Sequence, residues 1–504
     1  MSEPKRFRPA MAWLHTWAGL VVGWVLFAVF ITGTASYYKD DISRWMRPEL
    51  AETPIDAAQA ATVAGTFLAR QMDQPGGWMV TLPKAETPLT EVYWWKTFDG
   101  PFHHALLDPV TGEPTKARGT MGGDFLYRFH FELGLPSLWG RWIVGACAMV
   151  LLIALISGIV THRRIFADFF TFRPDRSRQR AWLDGHNLVG VLALPFHLMI
   201  TYTGLVTLGT MLMPWGVETA YHGNLPLYSE EAGMMTKYRP PAGKPGAGLP
   251  LGAFVTRAEQ AGGELPETLL VSAPGDAAAT VSAVFEEPHG LAHLHPQIAY
   301  DAVTGAEWAR VGEAGGATRT AAVMLGLHEA HFAAPALRIL FFLCGLMGAA
   351  TVASGLVLWT VARAPKNAAP EGLGLRVVRI LNIGTIAGLP AAMAAFFLAN
   401  RLLPLSLGGR ANWEVGAFFG VWALVALLGL LAPRRQAWPA TLGVAAALFL
   451  AVVPADLILV GEARFVPFDG AMLAAAVLLI LAARTASRPS ARLSRRESAQ
   501  AVGA

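Results

Sequence analysis

The sequence predicts a polytopic α-helical membrane protein: a four-helix bundle from an internal parallel duplication, two polar α+β segments set between its helices, and four additional C-terminal helices. Three observations carry this. Of 504 residues, 54% are hydrophobic and only 15% are charged, against about 25% charged in soluble domains. The apolar residues gather into eight runs, each able to cross the roughly 30 Å of a bilayer's hydrocarbon core. The first part of the chain is also repeated in the second.

The runs are 16–37, 139–161, 187–213, 338–361, 377–400, 413–432, 438–460 and 468–484. They divide the chain into 1–37 (N-terminus and first span), 38–138 (first polar segment), 139–213 (second span, basic loop, third span), 214–337 (second polar segment), 338–365 (fourth span) and 366–504 (extension). Lys and Arg in short flanks set orientation. One set of ends carries Lys5, Arg6, Arg8, Arg163, Arg164, Arg173, Arg176, Arg178, Arg180, Arg363, Lys366, Arg376, Arg379, Arg434 and Arg435. The short opposite loops hold Arg401, Arg410 and Arg464. Both termini are therefore expected in the cytoplasm and both polar segments outside it. Residues 1–36 have the outline of a signal peptide, with Gly33 and Ala35 where a peptidase would cut; the repeat argues for a retained span.

That repeat sets HTWAGLVVGWVLFAVFITGT from His15 over HNLVGVLALPFHLMITYTGL from His186 without a gap. Gly19 meets Gly190, and Thr32-Gly33 meets Thr203-Gly204. More loosely, His130-Phe131 answers His331-Phe332, Ser157-Gly158 answers Ser354-Gly355, and Asp108–Gly112 answers Asp301–Gly305. Two spans per copy is an even number, so the copies share one orientation. Each polar segment reads as a helix (55–70, 251–261) followed by strands (78–82, 91–98, 103–107; 268–272, 280–285, 297–301), giving two small α+β domains.

Some chemistries are excluded. Cys147 and Cys344 lie inside apolar runs, so there is neither a disulfide scaffold nor a CxxC site. No GxGxxG opens a βαβ unit and no GxxxxGK[ST] occurs. The longest cytoplasmic loop, 161–185, is too short for a flavin or nicotinamide domain. The basic run Arg163–Arg180 offers a dock for an anionic electron donor, against the plainer reading that such flanks orient helices and meet anionic membrane lipid; no nucleic-acid partner is expected.

Histidine carries what remains. Ionisable groups at membrane depth are costly and point to function. His197 lies eleven residues after His186, on the same helix face and about 16 Å further along. His15 and His186 begin spans one and three, and His162 ends span two on the same side. His130, His328 and His331 stand just before spans two and four on the other side. Histidines at two levels of a helix bundle suit cofactors held between facing helices. Paired imidazoles on haem iron favour electron transfer, because they leave no open position for oxygen. The competing reading is that each histidine is an interfacial polar residue. His289, His293 and His295 form a weaker metal-binding candidate, and His103, His104 and His222 lie in the polar segments. The extension contains no histidine.

The motifs LHTWAGL (14–20), FHFELGLP (129–136), ISGIVTHRRIFADFFTFRP (156–174), DGHNLVGVLALPFHLMITYTGL (184–205), HEAHFA (328–333) and SGLVLW (354–359) resemble the PepSY-associated transmembrane family. The turns LDPVTGEP (107–114) and YDAVTGAE (300–307) resemble those of PepSY domains. The resemblance covers residues 10–365 and implies a bacterial inner-membrane protein, often iron-regulated. Some such proteins are haem reductases that deliver electrons to periplasmic ferric siderophores. It implies two haem b groups, one towards each face; the candidate ligands are those that depth and repeat position single out, His15, His186, His130, His197, His331, His328 and His162. The electron donor would be a cytoplasmic protein, a small reductant or a quinol. Tyr93, Trp94 and Trp95 are candidates for a siderophore cradle, or simply strand core. The alternative readings are a PepSY-type binding or regulatory protein without redox activity, and a transporter using the last four spans.

Overall fold

The computed structural model describes residues 7–50, 54–73, 75–84, 87–97, 100–161, 177–287, 290–311, 314–365, 370–461 and 465–487. The chain forms two compact units. One comprises Met1–Arg47, Arg118–Thr201 and Pro335–Ala504; the other comprises Pro48–Ala117 and Tyr202–Ala334.

Among the described residues of the first unit, seven helices are long and apolar enough to cross a membrane: Phe7–Ser36, Ser137–Thr161, Pro335–Ala362, Leu373–Leu402, Arg410–Leu431, Arg434–Val460 and Val466–Ser487. The stretch expected as the third span is not straight. Arg178–Leu192 and Leu194–Thr207 meet at 66°, with Pro195 just past the break, where a ring without an N–H cannot continue the helical ladder. This is a multi-pass membrane protein. Span one (Phe7–Ser36) packs on span two (Ser137–Thr161) and span four (Pro335–Ala362), and the first half of the broken span packs on span four. Glycines permit the close approach: a Cβ on Gly23 would strike Leu356, and one on Gly348 would strike Phe30.

The extension is not an independent appendage. Leu389, Phe396, Phe418, Phe449 and Met472 share one core with Phe27, Trp45, Phe125 and Phe129. Two buried ion pairs complete the joint. Arg401 meets Asp456 at 2.5 Å, donates to the Trp45 carbonyl at 2.6 Å, and lies 3.6 Å over the Trp45 ring. Arg410 pairs with Glu414, which also accepts from Asn400 at 2.8 Å and Thr120 at 2.5 Å. Glu414 and Asp456 are both completely buried, with Arg410 and Arg401 as their counter-charges.

The second unit departs from expectation. Among the described residues, seven strands, β1 (Gly77–Thr81), β2 (Thr90–Trp95), β3 (His103–Leu107), β4 (Thr268–Ser272), β5 (Thr280–Val284), β6 (Gln297–Asp301) and β7 (Glu307–Arg310), form one antiparallel sheet in the order β3-β2-β1-β4-β5-β6-β7. The two predicted α+β domains are therefore halves of a single sheet, joined along β1 and β4. The reason is an edge: alone, each half would leave a row of unpaired backbone groups on its first strand. Val80 faces Val92 within one half and Leu269 faces Ala283 within the other; across the seam Val80 faces Leu269. A local two-fold axis passes between Val80 and Leu269. Helices Ala57–Leu68 and Leu251–Gly262 contribute to one shared core with both halves. The short polar strand β7 (EWAR) was not anticipated, since it has too little apolar alternation to be recognised.

The two turns are equivalent. Asp108 accepts from the Val110 and Thr111 amides at 3.0 and 2.8 Å, and Asp301 from the Val303 and Thr304 amides at 3.0 and 2.7 Å. Gly112 and Gly305 close them at φ of +71° and +74°, a conformation that favours glycine. Burial pushes the Asp301 carboxyl up, but the Thr304 amide, Arg239 and the Thr304 hydroxyl outweigh it and hold the group at about 2.

Candidate functional site

His15 and His186 converge, with ring centroids 6.2 Å apart. Each ring is locked in the same way. Nδ1 of His15 donates to the Ala154 carbonyl at 2.8 Å, and Nδ1 of His186 to the Thr351 carbonyl at 3.0 Å. Four residues after each acceptor stands a glycine, Gly158 or Gly355, where a Cβ would lie 3.1 or 3.2 Å from the imidazole. A carbonyl oxygen only accepts, so in the neutral ring the proton is on Nδ1 and Nε2 is the nitrogen that carries the lone pair. This is the tautomer in which a histidine binds metal while its other nitrogen is held by a backbone carbonyl. Two imidazoles this close could hold one metal ion between them.

His130 occupies a similar cradle. Its Nδ1 donates to the Val29 carbonyl at 2.7 Å, and the ring fills the space that a Cβ on Gly33 would need. Burial lowers its pKa, only partly offset by the Val29 hydrogen bond, which keeps the imidazole neutral. In the second unit the matching cradle, Thr203-Gly204, holds His328. Thr203 Oγ1 lies 3.1 Å from Nδ1, and a Cβ on Gly204 would lie 2.8 Å from the ring. The sequence equated His130 with His331 through a shared His-Phe pair; the packing equates His130 with His328. His331 lies instead in a cluster of carboxylates and imidazoles with Glu287, His293 and Glu329.

His197 is buried. The Cys344 carbonyl accepts from its ring, while Nε2 is buried without a hydrogen-bond partner. Phe30 and Phe196 border it at 5.8 and 6.1 Å. An orphaned imidazole nitrogen in an apolar surround is costly, and a metal would satisfy it. His162 and His289 lie outside the described residues. His103 stacks on Trp94 at 5.4 Å, and His104 bonds Glu91 at 2.7 Å, both in the sheet unit. The aromatic triplet splits by strand alternation. Trp94 packs towards the helices against Phe67, whereas Tyr93 and Trp95 lie on the opposite face with His104 and Phe102.

The sequence reading did not assign the four cradle glycines a function. Their signal was present as the repeated Ser-Gly and Thr-Gly pairs, but a glycine's role depends on which neighbouring helix presses against it.

Fold and site together define a multi-pass membrane helical unit in which two imidazoles from equivalent places of a repeat face each other, coupled in sequence to a duplicated β-sheet unit. The chain belongs to the family of the PepSY-associated TM region, whose model matches residues 12–362. It is also similar to an uncharacterized protein of Pseudomonas aeruginosa, 29% identical over 364 residues that cover 66% of this chain and 86% of that one.

Proposed function

We propose that this chain is a b-type haem electron-transfer protein of the bacterial inner membrane that reduces ferric siderophores in the periplasm. The His15–His186 pair carries the reading: two imidazoles from equivalent places in the two copies, 6.2 Å apart, with both Nδ1 atoms held by backbone carbonyls. These two would hold one haem. A second would draw on His130 and His197, each embedded in the same unit. Bound haem supplies a reversible one-electron couple, and paired imidazole ligation directs it to electron transfer. The chain's own residues orient the two imidazoles through the Ala154 and Thr351 carbonyls. Ferric iron is the substrate. One electron converts it to the ferrous ion, which the hard oxygen donors of a siderophore hold more weakly.

The test is purification from haem-replete cells. A red protein whose reduced spectrum has the α-band of bis-histidine haem b, and which passes electrons from dithionite to a ferric siderophore, supports the reading. A colourless, haem-free and well-folded preparation would sink it.

A further inference from the structure

The cluster that claims His331 has its own chemistry. Glu287, His293 and His331 each bring one ligand atom to within 4.8 Å of the others. Glu329 Oε2 lies 3.5 Å from His293 Nδ1 and 3.5 Å from His331 Nε2. Glu287 Oε2 lies 2.9 Å from His293 Nδ1 and 3.7 Å from His331 Nδ1. The Glu287 side chain is only 8% exposed, and its other oxygen is buried with no hydrogen-bond partner. Among the described residues no lysine or arginine pairs with Glu287 or Glu329, although Glu286 next door is paired with Lys84. Two carboxylates thus meet two imidazoles with no fixed cation between them. We propose that Glu287, His293, Glu329 and His331 bind a divalent first-row transition-metal ion.

The donor set selects the ion class. Imidazole disfavours magnesium and calcium, and the absence of thiolate or thioether disfavours copper(I), whereas mixed imidazole and carboxylate ligation suits iron(II), manganese(II) and zinc(II). The backbone prepares the site. Helix Gly316–Glu329 ends at Ala330 with φ +58°, so Glu329 and His331 flank a sharp left-handed corner. The His293 amide donates to the Ala322 carbonyl at 3.0 Å, and the chain crosses so close to Gly326 that a Cβ there would strike the Leu291 carbonyl. His295 donates from Nδ1 to the Phe285 carbonyl at 3.0 Å and braces the His293 ring edge-on at 4.9 Å. Resting on the reductase reading, the ion is the ferrous product of siderophore reduction, held as the siderophore departs; the site itself does not need that reading.

The experiment is anaerobic calorimetric titration of the full-length, chelator-treated protein in detergent with ferrous, manganous and zinc salts. The expected result is one ion per chain, with Glu287→Gln and His293→Ala each weakening the affinity about tenfold or more while haem content and melting temperature stay unchanged. Glu287→Gln preserves side-chain shape, so its loss of affinity is not a folding failure. Wild-type protein that titrates like the Glu287→Gln/His293→Ala double variant overturns the site. A colourless protein that still binds one ion keeps the site and removes its ferrous assignment; a red protein that binds none removes the site and leaves the reductase reading intact.

Discussion

Helices Asp124–Glu132 and Gly316–Glu329 hold corresponding places in the two copies, and each brings a histidine into a Thr-Gly cradle. Both end on a left-handed residue, Leu133 at φ +57° and Ala330 at φ +58°. The glutamate before that corner is treated in opposite ways. Glu132 is neutralised by Arg128 at 3.1 Å and Arg141 at 3.2 Å, and accepts from Ser137 at 2.6 Å. Burial pushes its carboxyl up, but these partners outweigh it and keep the pKa below the usual value. Glu329 faces only imidazoles among its described ionic partners. The supports differ too: Phe125 and Phe129 of the first helix pack into the extension's aromatic core, while the second helix is crossed by the His293 loop. One copy has spent its glutamate on structure, and the other keeps it for a ligand.

The largest effect should come from breaking what the copies share. Gly158→Leu or Gly355→Leu fills a cradle and displaces His15 or His186, so either variant should lose about half of the haem, measured as pyridine haemochrome per chain. His331→Ala should retain all of it; equal loss in that variant would restore the His130–His331 equivalence. Next in size is the support found in copy one alone. Asp456→Ala strands Arg401 in the interior at a cost of about 3–5 kcal/mol, read as a drop in melting temperature. Metal binding at His293, in the other unit, should persist wherever the protein remains folded. The two glutamates then separate: Glu132→Gln should cost about 1–3 kcal/mol, while Glu329→Gln should leave metal-free stability unchanged or raise it. The smallest effect is a pH dependence. The Asp301 carboxyl is lowered from 3.8 to about 2 in the fold, so its stabilisation is fully present above the unfolded value and lost as pH falls through about 2. Asp301→Asn should flatten the acid limb of melting temperature against pH in that window.

The spans were legible because length and hydropathy are local properties, and the duplication because His15, Gly19 and Thr32-Gly33 recur without a gap. The fusion of the sheets was not. β1 and β4 are far apart in sequence, and nothing within GWMVT or TLLVS names the other as its neighbour. His331 was misassigned because its matching letters were only His-Phe, whereas position is set by the glycine opposite: Gly204 receives His328. The buried pairs of the extension escaped notice because Arg401 and Arg410 appeared to be loop charges that mark orientation. Their carboxylate partners lie one turn or a whole helix away.

The local axis between Val80 and Leu269 has a consequence for how such a chain can arise. A gene encoding one copy would make a product whose first strand is an open edge, and two such products can join there strand to identical strand, as an isologous homodimer. Fusing the two coding sequences makes that encounter intramolecular, so assembly no longer depends on concentration. It also ends the obligation to symmetry. In a homodimer every substitution appears twice, and a histidine at the depth of His197 would be matched by a second. Once the halves share a chain, Leu26 can stand in one where His197 stands in the other.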